Sequence, residues 1–240
     1  MLNKFDRIPR NERVIVALDC DKSTAIRIAN DLKGCATWLK VGMTLFYQEG
    51  PSIVARLKDM GFKIFVDLKF YDIPHQVAGA ALACAAAGAD MMTMHAIGGM
   101  AMMKGAQEQI DEFCLSNKSE IATLAVSVLT SYTDDDLAFS GVKRSTEEQI
   151  KCLCLMAQEA KMSGVVASTN EALMLRNLLG SDAYIVCPGV RPLNSAKDDQ
   201  CRTTTPSVAF DSGASHIVVG RPITKDMHVY ENFSRIIEEL

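Results

Sequence analysis

Short apolar runs rich in β-branched residues alternate along the chain with longer segments in which apolar residues recur every three to four positions. The first pattern predicts buried strands, and the second predicts helices with one apolar face. The predicted strands cover residues 13–19, 37–41, 63–69, 91–95, 121–129, 165–168, 183–187 and 217–220. A predicted helix follows each of them, so the chain consists of eight units in which a strand precedes a helix.

Residues typical of helix ends mark the limits of these predicted helices. Asp21 opens a helix that runs to Leu32, and Gly34 stops it. Ser145 is followed three residues later by Glu148, which is the spacing of a capping box. The predicted helices therefore have sequence support at their ends as well as along their lengths.

Eight strand-helix units within 240 residues, with no linker or change of composition between them, indicate one α/β domain over residues 1–240. We predict a closed (β/α)₈ TIM barrel, which typically needs about 250 residues. The structural alternative is an open, doubly wound sheet. That fold usually carries fewer strands and often a glycine-rich fingerprint after the first one, whereas residues 17–21 contain no glycine.

The amino-acid composition indicates which classes of partner the chain can bind. Hydrophobic residues make up 48% of the chain, which is typical of a folded globular protein. The formal net charge is −4, so the chain has no general electrostatic reason to bind nucleic acid or an anionic membrane. We therefore expect neither nucleic acid nor a membrane as a partner. An anionic small-molecule substrate is still compatible with this charge, but it would need a local cationic site.

The N-terminus and the cysteines indicate a cytoplasmic protein. Residues 1–13 are polar and mixed in charge, without the apolar core of an export signal. The eight cysteines include no pair spaced as C-x-x-C. We interpret them as reduced thiols that pack as small apolar side chains, and we expect no metal site among them.

Polar and charged residues are concentrated at the predicted carboxyl ends of the strands. In a barrel these ends meet on one face, where the chemistry of this fold is found. One polar residue at a strand end usually only begins a solvated loop, but a polar residue at every end is harder to explain in that way. The residues are Asp19, Lys40, Asp67, Lys69, His95, Thr130, Ser168, Gly189, Gly220 and Arg221.

The strongest local signal is an alternation of charge in the third unit. Asp67 and Lys69 are two apart on a strand, so both side chains face the same side, and the barrel mouth is the less costly side for a charged pair. Asp72 follows just past this strand, and Lys40 ends the adjacent one. Opposite charges this close keep each other ionised. The spacing alone leaves a catalytic array and a structural ion-pair network about equally supported.

A second signal lies after strands seven and eight, which is the usual phosphate site of this fold. The segment from Pro188 to Arg191 opens a long polar loop, and the last strand ends in Gly220-Arg221-Pro222. Glycine lets backbone N–H groups approach an anion, and the Arg221 guanidinium fits phosphate oxygens. The alternative is an ordinary loop with one exposed arginine.

Together these motifs resemble the orotidine 5′-phosphate decarboxylase family of the bacterial type. They occur in the family's order and cover nearly the whole chain. The matching segments are Val16-Ala-Leu-Asp19, Leu39-Lys40-Val-Gly42, Asp67-Leu-Lys69-Phe-Tyr-Asp72-Ile-Pro74, His95-Ala-Ile-Gly-Gly99, Val128-Leu-Thr130-Ser131, Gly164-Val-Val-Ala-Ser168, Pro188-Gly-Val-Arg191-Pro192, Asp199-Gln200 and Gly220-Arg221-Pro222.

The resemblance implies a homodimeric barrel without a cofactor or metal, a lyase that converts orotidine 5′-monophosphate to UMP and CO₂. That reaction is the last step of de novo UMP synthesis in pyrimidine biosynthesis. By the same resemblance, Lys69 protonates C6 of the pyrimidine ring. Lys40, Asp67 and Asp72 complete the catalytic charge array, with Asp72 reaching in from the partner subunit.

The resemblance also implies which residues bind the substrate. Asp19 and Lys40 contact ribose hydroxyls, and Asp67 and Asp72 line the same site. The remaining binding candidates are Ile73, Gln76, Thr130 behind the pyrimidine ring, Gln200 and Arg221 on the phosphate, and Arg191 and Gly220 shaping that end.

The chain departs from the family pattern at three positions. Tyr71 stands where the family commonly has His, and His75-Gln76 where it commonly has Asn-Thr. Gln76 can still form hydrogen bonds, although it is longer than Thr.

Two other functions stay open. Related barrels act on sugar phosphates with Mg²⁺, but they typically have Glu where this chain has Lys40. A barrel that binds a phosphate ligand without catalysis is the other alternative. The complete set of Lys40, Asp67, Lys69 and Asp72 argues against it.

Overall fold

The chain forms a closed barrel of eight parallel strands, seen in a computed structural model that describes residues 3–192 and 204–240. Each strand pairs with the next along the chain, and the eighth pairs with the first. The strands are β1 (Val14–Ala17), β2 (Trp38–Gly42), β3 (Lys63–Phe70), β4 (Met91–His95), β5 (Ala122–Val126), β6 (Gly164–Val166), β7 (Tyr184–Cys187) and β8 (His216–Val219). The predicted (β/α)₈ TIM barrel is confirmed.

Helices connect the strands and cover the outside of the barrel. They are α1 (Lys22–Asp31), α2 (Met43–Glu49), α3 (Ser52–Asp59), α4 (Pro74–Ala86), α5 (Met100–Asn117), α6 (Asp134–Phe139), α7 (Thr146–Glu159), α8 (Thr169–Leu179), α9 (Pro206–Asp211), α10 (Arg221–Thr224) and α11 (Val229–Glu238). Short 3₁₀ turns occupy Lys4–Arg7, Arg10–Arg13 and Ala96–Gly98. Within the two described ranges, no helix is long and apolar enough to cross a membrane.

The predicted helix ends are formed as expected. Asp21 caps α1, where its carboxylate accepts a hydrogen bond of 3.0 Å from the N–H of Thr24. Ser145 and Glu148 form the predicted capping box at α7: each side chain accepts from the other residue's N–H, at 3.3 and 3.0 Å. These contacts satisfy backbone donors that the first helical turn leaves without partners.

Alternate residues of each strand face the barrel interior and the helices. Ile15, Phe65 and Leu124 belong to an inner apolar cluster, whereas Val16 and Ile64 belong to the larger core beneath the helices. Both faces of the strands are therefore buried, which explains their nearly continuous apolar runs.

Aromatic side chains close the N-terminal end of the barrel around His216. The imidazole stacks on Tyr184 at 5.6 Å between ring centroids, and its edge contacts lie at 5.5 Å from Trp38 and 5.7 Å from Phe5. Its Nδ1 lies 3.2 Å from the hydroxyl of Ser215. Burial, reinforced by nearby positive charges, lowers the pKa of His216 to about 3. The imidazole is therefore neutral at pH 7 and serves as a packing residue.

The buried neutral His216 should make the protein less stable in mild acid. The unfolded chain binds a proton at the ordinary His pKa of about 6.5, whereas the folded chain does not bind it until pH falls to about 3. Between pH 7 and pH 5 the wild type should therefore lose about 2 kcal/mol more unfolding free energy than His216→Gln does. Urea denaturation at the two pH values measures this difference.

The matched control is His228→Gln, because His228 is exposed. This variant should keep the wild-type dependence of stability on pH. If His216→Gln also kept it, His216 would not be the group that resists protonation.

Candidate active site

A cavity of about 510 Å³ opens at the carboxyl end of the strands. Apolar side chains of the barrel interior line its lower part: Ala17, Phe65, Val166, Val186 and Val218. The predicted site residues that line it are Asp19, Lys40, Asp67, Lys69, Thr130, Arg191, Gly220 and Arg221. The structure therefore brings together eight of the residues that the sequence pointed to, from six different units of the barrel.

Four of these residues form a chain of alternating charges across β1, β2 and β3. The ammonium nitrogen of Lys40 lies 3.0 Å from Oδ1 of Asp19 and 3.5 Å from Oδ2 of Asp67. The ammonium nitrogen of Lys69 lies 2.9 Å from Oδ1 of Asp67. The sequence predicted this alternation with Asp72 as its second acid. Within one chain, Asp19 takes that place.

Asp67 is the most enclosed acid of this charge array. Burial by itself would raise the pKa of its carboxyl, but the Lys40 and Lys69 ammonium groups and a hydrogen bond from the Thr93 hydroxyl outweigh burial. The net result is a pKa below the ordinary Asp value, so Asp67 is ionised at neutral pH.

A bulge in β3 directs the Lys69 side chain into the cavity. Val66 pairs with Met92 and Phe70 pairs with Met94, so three residues of β3 lie opposite the single residue Thr93. Lys69 itself has a φ of +54°, in the left-handed region that side chains rarely adopt. Such a conformation costs about 1–3 kcal/mol and persists only where surrounding contacts hold it.

The ion pair confirms that Asp67 and Lys69 face the same side, but the sequence did not predict the bulge. It also did not single out Thr93. The alternation of inward and outward side chains along β4 could have indicated Thr93. It places this residue, two before His95, in the barrel interior.

Gly42 leaves room for the charge array. A Cβ at this position would lie 2.8 Å from Oδ1 of Asp19 and 2.9 Å from Nζ of Lys40. Those separations are shorter than van der Waals contact, so any larger residue would displace the two side chains. The glycine two residues after Lys40 is thus part of the site's geometry.

The loops after β7 and β8 form the other side of the cavity. Gly189 turns the chain with a φ of +76°, and the N–H of Arg191 donates to the carbonyl of Thr204 at 2.9 Å. The Arg191 residue is buried, whereas Arg221 is exposed and begins α10, one residue after Gly220 leaves β8. Two arginines therefore line the cavity beside the acidic and basic groups of β1 to β3. Gln200, the further residue predicted here, lies outside the described residues.

Three predicted site residues lie outside the cavity of their own chain. Asp72, Ile73 and Gln76 are exposed at the beginning of α4, and Oδ1 of Asp72 accepts a hydrogen bond of 2.7 Å from the N–H of Ile73. The chain also exposes large apolar side chains in this region: Tyr71 is 63% exposed and Ile97 is 58% exposed. One chain alone does not bring these residues to Lys69.

Two predicted strand-end residues have local roles. His95 ends β4 and makes an edge contact with the Tyr71 ring at 6.0 Å, and burial together with the positive charge of Lys69 lowers its pKa. Ser168 precedes α8, and its hydroxyl donates to the carboxylate of Glu171. Thr130 lines the cavity from the loop beyond β5, because that strand ends at Val126 rather than at residue 129.

Within the described residues, no group of three or more His, Cys, Asp or Glu side chains is placed to hold a metal ion. The Lys40 ammonium group lies between the carboxylates of Asp19 and Asp67.

Comparison with known proteins gives one consistent relationship. The model of the orotidine 5′-phosphate decarboxylase / HUMPS family matches residues 12–236. An orotidine 5′-phosphate decarboxylase of Maridesulfovibrio salexigens is 42% identical over 95% of this chain and 98% of its own length. One of Nitrosococcus oceani is 44% identical over 88% of this chain and 90% of its own. The crystal structure of orotidine 5′-phosphate decarboxylase from Lactobacillus acidophilus superposes with a TM-score of 0.84 at 35% identity, covering 95% and 98% of the two chains.

Proposed function

The chain belongs to the orotidine 5′-phosphate decarboxylase / HUMPS family, and from that membership we propose that it converts orotidine 5′-monophosphate to UMP and CO₂. The curated relatives that bear the name of this carboxy-lyase cover nearly the whole chain at about 40% identity. The observation that carries the proposal is the charge array, because it places a lysine ammonium group in a cavity of nucleotide size. Two arginines line the same cavity.

Lys69 is the residue that the reaction needs most. Loss of CO₂ from C6 leaves a carbanion in the plane of the pyrimidine ring, where no attached carbonyl can delocalise the charge directly. A fixed positive charge beside the developing anion stabilises it, and the same group can then deliver a proton. Lys69 meets both needs, because its ammonium group is held at 2.9 Å from Asp67 and faces the cavity.

Asp67 and Lys40 keep that ammonium group in place. Each oxygen of Asp67 faces a different lysine, Oδ1 towards Lys69 and Oδ2 towards Lys40. The array is thus organised before substrate arrives, so little reorganisation is needed during the reaction. Asp19 is exposed at the rim and Lys40 is buried beside it, and we assign both to the ribose hydroxyls.

The phosphate and the base occupy the other parts of the cavity in this proposal. Arg221 binds the phosphate as a charge-assisted donor, with Gly220 and Arg191 shaping that end and Gln200 completing it. Thr130 lies behind the pyrimidine ring. Binding of the distant phosphate offsets the cost of ordering the site around the reacting carbon.

We propose a metal-free reaction. The family also contains enzymes of the HUMPS group, and the related barrels that use Mg²⁺ typically have Glu in place of Lys40. Here Lys40 is present, and its ammonium group lies between the carboxylates of Asp19 and Asp67. This arrangement supports the nucleotide substrate over a metal-dependent sugar phosphate.

We further propose a homodimer in which Asp72 completes the site of the partner subunit. Asp72, Ile73 and Gln76 lie outside their own chain's cavity, next to the exposed apolar side chains Tyr71 and Ile97. Burying those side chains against a second copy would be favourable and would bring Asp72 to another chain's array. The proposed place of the enzyme is the last step of de novo UMP synthesis, in the cytoplasm.

Turnover should be observed in buffer from which metals have been removed. The expected result is loss of the absorbance of orotidine 5′-monophosphate at an unchanged rate with and without chelator, together with release of UMP. Lys69→Ala should lower kcat by about 10²- to 10⁴-fold or more, because the variant lacks the cation and the proton source. Lys63→Ala at the opposite end of β3 is the matched control and should keep wild-type kcat.

A strict requirement for Mg²⁺ would contradict the metal-free reaction and favour a sugar phosphate. Binding without turnover would indicate the non-catalytic alternative. A folded Lys69→Ala protein that kept most of its kcat would contradict the role of Lys69.

Mixing two inactive variants should restore activity if Asp72 is shared between subunits. In a heterodimer of Lys69→Ala and Asp72→Ala chains, one site has both substitutions and the other has neither. Random exchange of subunits should therefore recover about one quarter of wild-type activity, since half of the dimers are mixed and each has one intact site. Each variant alone, taken through the same exchange, is the control. Full exchange, shown by mass spectrometry of tagged chains, without recovered activity would contradict the shared site.

Arg221→Ala should act through the phosphate group. Losing a charge-assisted contact should lower kcat/KM for orotidine 5′-monophosphate by about 1.5–3 kcal/mol of transition-state stabilisation. The phosphate-free nucleoside orotidine never makes this contact, so its slower reaction should be almost unchanged. Lys225→Ala, at the end of the same short helix α10, is the control and should affect neither substrate. An equal loss with both substrates would mean that Arg221 supports the barrel in general.

A further inference from the structure

Thr93 connects the two halves of the central ion pair through a single oxygen atom. Its hydroxyl donates to Oδ1 of Asp67 at 2.9 Å, and the same oxygen accepts the backbone N–H of Lys69 at 2.9 Å. The residue is fully buried in β4. It therefore contacts the side chain of the acid and the backbone of the lysine, but not the lysine's ammonium group.

The backbone of Lys69 needs such a contact. Three residues of β3 oppose Thr93 alone, so the regular ladder of strand hydrogen bonds is interrupted at this point. Lys69 adopts φ +54° within this interruption. A left-handed residue that is not glycine is held by its surroundings, and the Thr93 hydroxyl is the polar group that its N–H contacts.

The carboxylate of Asp67 is oriented by the same atom. Oδ1 receives hydrogen bonds from both Thr93 and Lys69, each at 2.9 Å, which leaves Oδ2 for Lys40. Because the two oxygens of a carboxylate are equivalent, what matters is the orientation of the carboxylate plane, and a partial rotation would weaken all three contacts. The Thr93 hydroxyl therefore helps to fix the plane in which the carboxylate faces both lysines.

A hydroxyl meets both requirements through a single oxygen atom, and a stiff side chain holds that atom in place. It offers one O–H donor and lone pairs that accept, whereas the similarly shaped valine offers neither. The β-branched carbon also restricts χ1, so the oxygen is held in one place. Serine keeps the donor and the acceptor but has more rotational freedom.

We propose that Thr93 is a positioning residue of the reaction, which holds the Lys69 backbone in its left-handed conformation and the Asp67 carboxylate in its rotation. Through these two contacts it keeps the Lys69 ammonium group at its place in the cavity. The inference rests on the proposed decarboxylase function and adds to it a residue that never touches substrate.

The charges that face Asp67 determine how the pH profile should respond. Lys40 faces it from β2, Lys69 from its own strand and His95 from β4, while Asp19 reaches it only through Lys40. The Thr93 hydroxyl is one of the contacts that lower the pKa of Asp67. Removing it should raise that pKa and move the acidic limb of the kcat/KM profile to higher pH.

The test compares Thr93→Val with Thr93→Ser and with a control on the next strand. The control is Thr123→Val, because Thr123 is equally buried and its hydroxyl contacts Gln107 and Ser163 on the helix side of β5. Thr93→Val should lower kcat by about 10- to 100-fold, which is the effect of a displacement of about 1 Å at a reacting group. KM and the Kd of the product UMP should change by less than about 3-fold, because the phosphate and ribose contacts stay.

The serine variant should recover most of the lost kcat and should keep the wild-type acidic limb. Thr123→Val should keep wild-type kcat, KM and pH profile, whatever its effect on Tm. If Thr93→Val does not fold, Thr93→Ala removes the same hydroxyl without requiring the valine methyl to fit, and the same results are expected of it.

Unchanged kcat in a folded Thr93→Val or Thr93→Ala protein would overturn the proposal. Parallel loss of kcat and of UMP affinity, with no shift of the acidic limb, would also overturn it, because that result describes a general structural defect.

Failure of the proposed decarboxylase function can be distinguished from failure of the role of Thr93. If the proposed function is wrong, the wild type itself does not turn over orotidine 5′-monophosphate. A crystal structure of Thr93→Val then tests the inference without activity: Lys69 should leave the left-handed region, and a Lys69 that stays there would contradict the role of Thr93.

Discussion

The site depends on one buried carboxylate that is compensated on both sides. Asp67 has been taken out of water, and an isolated buried charge would protonate rather than stay ionised. Lys40 and Lys69 make the ionised form of Asp67 the favoured one, and the acid in return holds both ammonium groups close to it. Removing either lysine leaves Asp67 with one counter-charge instead of two, so the three groups function as one unit. Such a buried pair is weak evidence for stability and stronger evidence for a function that needs fixed charge.

The barrel brings these charges together because its first three strands are neighbours. Ala17 pairs with Lys40, and Gly42 pairs with Asp67, so consecutive strands place their inward residues at neighbouring heights. The lower layers of the interior are apolar and packed, which excludes water from beneath the array. Charges next to a packed apolar layer interact more strongly than charges at an open, solvated surface. The fold therefore contributes to the chemistry through spacing and through low polarity together.

Much of this arrangement could be predicted from the sequence, because it follows from periodicity and strand order. Alternation placed Asp67 and Lys69 on one side, and the capping box at Ser145 marked the start of α7 correctly. The bulge could not be predicted in the same way, because a left-handed lysine is held by a contact from another strand rather than by its own neighbours in sequence. The sequence predicted that β5 ends three residues later than it does. The apolar run continues beyond Val126, the last residue of β5 that pairs with β4, into the loop that carries Thr130. The role proposed for Asp72 requires a second chain, because within one barrel this residue is exposed outside its own cavity.

The two ends of the barrel have different roles: one is closed by packed aromatic side chains, and the other carries the charge array. Lys63 begins β3 beside the aromatic cluster around His216, and Lys69 near the other end belongs to the charge array. Five residues of strand lie between them, or roughly 20 Å of backbone. Free-energy changes at sites this far apart generally add, with little interaction between them. A sequence can thus drift at the closed end of the barrel, gaining or losing stability, while the groups at the open end stay under separate selection.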